Sequence, residues 1–115
     1  MFRPINKISA ALVACVAVLL LPDSARADVP EFTLVIRDHR FQPAELRVPA
    51  GKKLKLIVSN EDATPEEFES YELNREKVIP AKARGHLYIG PLNPGRYPFF
   101  GDFHKQTARG TIVAE

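Results

Sequence analysis

The chain has 115 residues, a formal charge of +2, a single cysteine and ten prolines. That length leaves room for one domain, the lone cysteine excludes an internal disulfide, and prolines spread along the chain argue against a helical bundle. The first stretch does not belong to the domain. Met1 to Lys7 carries Arg3 and Lys7, Ile8 to Leu21 is an uncharged apolar run, and Ala25-Arg26-Ala27 is a small-x-small triplet. This is the layout of a secretory signal peptide over residues 1–27, cut after Ala27, which predicts a periplasmic protein. The apolar run is shorter than the roughly 20 residues of a bilayer-spanning helix, so the processed chain is not expected to be an integral membrane protein. A lipoprotein box, Leu12-Val13-Ala14-Cys15, is the rival reading. The apolar run continues past Cys15 to Leu21, and a cut there would leave an apolar mature N-terminus.

Cleavage leaves 88 residues, 28–115, with 13 basic and 13 acidic side chains and no cysteine. The basic balance therefore belongs to the leader, and nucleic-acid binding loses its electrostatic support. The mature domain can form neither a disulfide nor a thiolate–metal bond, and a packed apolar core must hold it.

Along the mature chain, apolar residues alternate with a period of two between turn residues. Phe32, Leu34 and Ile36 form one such set, broken at Asp38-His39-Arg40. Leu46 and Val48 follow, then a turn at Pro49-Ala50-Gly51-Lys52, then Leu54, Leu56 and Val58. Asn60 to Pro65 reads as a polar loop. Phe68 to Leu73, Lys77 to Ile79 and His86 to Ile89 read as short strands, closed by the turn Asn93-Pro94-Gly95. Tyr97 to Phe100, a polar loop from Gly101 to Arg109, and Thr111 to Ala114 complete the chain. About seven short strands between proline and glycine turns predict an all-β sandwich or small barrel. The glutamate-rich stretch from Glu66 to Lys77 is the one segment with a helical alternative, although Phe68, Tyr71 and Leu73 keep helical spacing poorly.

If consecutive strands run antiparallel, three loops distant in sequence meet at one end. They hold His39, Glu66, Glu67, Asp102 and His104. The parity has to carry across residues 70 to 85.

Three stretches resemble the cupredoxin family of plastocyanin, amicyanin and azurin. They are Phe41-x-Pro43-x-x-Leu46-x-Val48-x-Ala50-Gly51, then Leu54 to Asn60 with Pro65, then Pro94-Gly95-x-Tyr97-x-Phe99 leading to His104 and Gly110. The resemblance implies a Greek-key β-sandwich over nearly the whole mature chain. A blue-copper site takes two histidines, a thiolate and a weak axial ligand. By the resemblance, the first histidine position falls on Glu66, the cysteine on Gly101 and the methionine on Thr107 or Ala108, and only His104 matches. Glu66-Glu67-Phe68-Glu69-Ser70-Tyr71-Glu72-Leu73, Arg75-Glu76-Lys77 and Phe99-Phe100-Gly101-Asp102-Phe103-His104 are also similar to small periplasmic cupredoxin-like proteins of bacterial iron-permease systems. They resemble as well the cupredoxin domain of an iron-uptake lipoprotein with a Glu-Phe-Glu segment. This implies copper and iron as metals, an iron permease or other periplasmic iron-uptake component as partner, and copper-assisted oxidation of ferrous iron as one activity.

Carboxylates with imidazole suit Cu(II) and iron in either oxidation state. Glu67 and Glu69 share one strand face and Glu66 takes the other, while Asp102 and His104 are also two apart. The expected site is His104 with Asp102, Glu67 and Glu69, and with Glu66 and His39 in reserve. Against this, the glutamates can be a solvated acidic loop facing Arg75, Lys77 and Lys82, and His39 a loop hydrogen-bonder. His86 has no motif around it, and Phe99, Phe100 and Phe103 read as core and cap. Hydrolysis lacks a nucleophile elbow and a phosphate loop, and a glycosidase cleft does not fit in so short a chain. Iron oxidation and metal delivery both stay open as activities. The alternative is a metal-free or weakly metal-binding interaction module that docks on a membrane transporter.

Overall fold

In the computed structural model, which describes residues 29–115, the period-two pattern resolves into nine strands among the described residues. The signal peptide and Cys15 lie outside them. The strands are β1 (Glu31–Arg37), β2 (Arg40–Gln42), β3 (Glu45–Val48), β4 (Leu54–Asn60), β5 (Glu66–Ser70), β6 (Arg75–Ile79), β7 (Arg84–Ile89), β8 (Gly95–Gly101) and β9 (Arg109–Ala114). They form a four-stranded sheet ordered β2-β1-β4-β7 and a five-stranded sheet ordered β3-β9-β8-β5-β6. The two sheets form a sandwich, as the alternation requires.

The core lies between the inner faces. Leu34 and Ile36 of β1, Leu54, Leu56 and Val58 of β4, and Leu87 and Ile89 of β7 meet Phe68, Phe99 and Ile112 from the other sheet. Phe99 stands edge-on to Phe41, with ring centroids 4.9 Å apart, and leans on Phe68 at 5.3 Å. Of the three C-terminal phenylalanines only Phe99 is core. Phe100 lies on the outer face under Tyr71, and Phe103 stands in solvent, about half exposed.

Two segments sharpen the sequence reading. The break at Asp38-His39 is a tight reversal between β1 and β2, with Arg37 paired to Arg40. The Glu66 to Lys77 stretch is a hairpin rather than a helix: β5 pairs with β6, and Asn74 takes a left-handed φ of 54° in the connecting turn. The hydroxyl of buried Ser70 closes that turn by accepting the Leu73 amide while donating to the Pro98 carbonyl. This local capture of a backbone amide by a serine offers the chain a turn in place of a helix.

The strand parity holds across residues 70 to 85. β4 runs parallel to β1, β7 runs antiparallel to β4, and β5 runs antiparallel to both β6 and β8. The β1–β2 turn, the β4–β5 loop and the β8–β9 loop therefore share one end of the sandwich.

Candidate metal site

Glu66 opens β5 on its inner face, with Phe68 and Ser70, and only 1% of its surface is exposed. Its carboxylate is fully occupied. Oε1 accepts the amides of Glu67 (3.0 Å) and Phe103 (2.9 Å), and Oε2 accepts Nδ1 of His104 at 2.6 Å. A buried carboxylate needs such partners, because an uncompensated charge in the interior costs several kcal/mol (~3–5 when one partner is removed). With the proton held at Nδ1, the neutral ring keeps its Nε2 lone pair for another partner. Among the described residues nothing bonds to that nitrogen. The arrangement matches the carboxylate–histidine pairs that orient metal-binding imidazoles.

His39 lies flat on His104, with ring centroids 3.6 Å apart and planes 12° apart. The two rings, with Phe103, Lys105, Gln106 and Thr107, line an open depression of about 380 Å³. His39 reaches this place from a strained turn: Asp38 and His39 both take left-handed φ angles, 53° and 57°. The Asp62 carboxylate accepts both of their amides, at 2.8 and 3.0 Å, and Thr107 Oγ1 donates to the His39 carbonyl at 2.6 Å. Burial of Asp62 favours its neutral form, but the amides of His39 and Asp38 outweigh it and hold the carboxyl below its usual range.

Gly101 explains why Glu66 fits. A Cβ on residue 101 would stand 2.5 Å from Glu66 Cδ and 2.7 Å from Ala108 Cβ. The carboxylate therefore fills the space a side chain at 101 would need.

Glu67 and Glu69 point the other way, onto the outer face of the five-stranded sheet. Glu76, opposite Glu69 in the register, joins them, and one oxygen from each lies within 4.8 Å of the others. Asp102 sits on this side too, where its carboxylate faces Glu67 and pairs with Lys105 Nζ at 3.3 Å. Desolvation first, and then repulsion among Glu76, Glu69 and Asp102, holds the Glu67 carboxyl above its usual range; Glu69 is raised by desolvation and by Glu76 and Asp102.

The five expected residues thus divide into two groups. Glu66 and His104 meet inside, with His39. Glu67, Glu69 and Asp102 meet outside, with Glu76. The two-apart argument does not reach Asp102 and His104, because residues 102–107 form successive turns in which alternation does not apply. Sequence reasoning kept His39 only in reserve and missed Asp62 and Glu76. The signal for His39 lay in the Asp-His pair at a two-residue reversal, which needs left-handed backbone; which acceptor supports that turn is not marked in the sequence. Glu76 needed the hairpin register.

The sandwich, the loop end and the sequence agree with one family, whose profile matches residues 9–114. The chain belongs to the cupredoxin-like domain family. This cupredoxin-like protein is 42% identical over 92 residues to an uncharacterized protein of Rickettsia prowazekii (strain Madrid E), covering 80% of this chain and 74% of that one. Its fold resembles auracyanin A, a "blue" copper protein from the green thermophilic photosynthetic bacterium Chloroflexus aurantiacus. The TM-score is 0.67 at 12% identity, over 76% of this chain and all of that one. It also resembles a chain of a heme-copper terminal oxidase dimer (TM-score 0.63, 17% identity), covering 75% of this chain. It spans 65% of that oxidase chain, just under two thirds. At these identities the structural likenesses speak for the fold alone.

Proposed function

We propose that this protein is a periplasmic, cupredoxin-like metal-binding protein that takes copper at a carboxylate–imidazole site without thiolate and serves ferrous-iron uptake. One observation carries the metal reading: a buried carboxylate holds Nδ1 of His104, Nε2 has no protein partner among the described residues, and the ring lines an open depression beside a second imidazole. The donor chemistry fits Cu(II), for which imidazole is a preferred ligand. It does not fit a blue-copper centre. The described residues contain no cysteine or methionine, and Glu66 fills the space beside Gly101, the position where the sequence resemblance puts the family's cysteine.

In this reading His104 and His39 would hold the ion, and Glu66 keeps the proton on Nδ1 and fixes the ring. Imidazole lone pairs lie in the ring plane, so two parallel rings cannot both address one ion while stacked. Binding through both would need one ring to turn out of the stack. When bound, Cu(II) would accept one electron from ferrous iron, becoming Cu(I) as Fe(II) becomes Fe(III). The outer group of Glu67, Glu69, Asp102 and Glu76 offers oxygen donors, which suit iron. Delivery to an iron permease is the partner step that the sequence resemblance supports.

The test is Cu(II) titration of the metal-free domain, followed by calorimetry, the visible spectrum and EPR. Tight one-to-one binding without an intense blue band, lost in His104→Ala, supports the reading. Affinity no better than that of a lone surface histidine overturns it, and the domain is then a docking module.

A further inference from the structure

The β1–β2 turn carries an unusual load. Two consecutive non-glycine residues, Asp38 and His39, sit in left-handed backbone. Such conformations cost free energy outside glycine and persist where the surroundings over-determine them. Here the surroundings converge on one side chain. Successive amides in a turn form a concave, anion-accepting nest, and the Asp62 carboxylate occupies it with one oxygen on each amide. Asp62 is itself fixed from below. Its amide donates to Oδ1 of Asn60, which is 2% exposed, and Asn60 Nδ2 is shared among the carbonyls of Thr64, Ile79 and Pro80. A continuous polar chain therefore runs from buried Asn60 through Asp62 to the turn that presents His39 to His104.

We propose that Asp62 is a positioning residue: by accepting the amides of Asp38 and His39 it holds the His39 imidazole against His104 at the mouth of the metal site. This rests on the proposed metal reading for its functional meaning, but the placement itself can be read without metal. The neighbouring ion pair of Arg37 with Glu61, at 2.7 Å, braces the same hairpin without touching the nest. It supplies the control.

The experiment compares wild type, Asp62→Ala, Asp62→Asn and Arg37→Ala. In metal-free protein, NMR contacts between the His39 and His104 ring protons report the stack. In parallel, Cu(II) titration reports affinity. Asp62→Ala is expected to release the turn so that His39 leaves the mouth, which abolishes the ring contacts. By removing the second imidazole from reach, rather than by unstacking it, the change weakens Cu(II) binding roughly tenfold, the equilibrium factor of one or two ordinary hydrogen bonds. Asp62→Asn, which keeps an acceptor oxygen, should recover part of both, and Arg37→Ala should change neither. Should Asp62→Ala fail to fold, Asp62→Asn carries the comparison with its partial losses. Ring contacts and affinity both unchanged in whichever Asp62 variant folds would overturn the positioning role. Wild type that shows the stack but binds no Cu(II) would overturn the metal reading alone.

Discussion

Glu66 and Glu67 are adjacent on β5 and face opposite sides of one sheet. The first is buried, and its two oxygens together meet three N–H donors, the amides of Glu67 and Phe103 and the His104 ring. The second stands at the surface among Glu69, Glu76 and Asp102, and desolvation with their repulsion raises its pKa. The same functional group thus anchors a loop on one face and adds to a like-charge cluster on the other. What decides is the supply of donors, since an acceptor taken from water must be repaid in hydrogen bonds.

Breaking the inner side should have the largest effect. Glu66→Ala leaves the Glu67 and Phe103 amides and His104 Nδ1 without their acceptor, and opens a void beside Gly101. The expected loss of folding free energy is about 3–5 kcal/mol, the range for removing one member of a buried pair. Urea denaturation of the metal-free domain measures it. A loss well under about 1 kcal/mol, the range of ordinary surface substitutions, would mean that this carboxylate does not hold the loop end.

Gly101→Ala comes next. The added methyl group meets Glu66 Cδ at 2.5 Å and Ala108 Cβ at 2.7 Å, and overpacking of this kind costs about 1–3 kcal/mol. Because the collision is largely with Glu66, the cost should shrink in the Glu66→Ala background. A double-mutant cycle tests this. Strict additivity of the two changes would show that Glu66 does not fill the space beside residue 101.

How much of this was legible in sequence follows from the same contrast. Alternation placed Glu66 opposite Glu67 and Glu69, and strand counting put His39, Glu66 and His104 at one end. The first uses the side-chain period of two, which a strand obeys, and the second the reversal of direction from strand to strand. The Asp102–His104 pairing used the same period in a stretch that forms turns, and there it failed. Glu76 could be added only through the Glu69–Glu76 register, which depends on where the hairpin turns. That in turn depends on Ser70 and Asn74 rather than on any apolar pattern. Asp62 was invisible for a different reason: its partners are the backbone amides of a turn 23 and 24 residues earlier.

The outer side should give the smallest effect and one of opposite sign. Glu67 and Glu69 have folded-state pKa values above their unfolded ones, so they bind protons more readily when the chain is folded. Acidification from neutrality toward the upper carboxylate range should therefore stabilise the metal-free domain slightly. Solvent screening keeps the gain small at such a surface. Asp62 and Glu45 behave oppositely, since their folded-state values are lowered. Their contribution is complete above the unfolded value near about 4 and is lost as the pH falls through the folded values. The expected profile of melting temperature against pH is a shallow rise followed by a steeper fall. Glu76→Gln removes one repelling charge, so it should raise the melting temperature slightly at neutral pH and flatten the rise while leaving the fall in place. A variant whose profile overlays that of wild type through the rise would show that the clustered glutamates do not repel one another enough to matter.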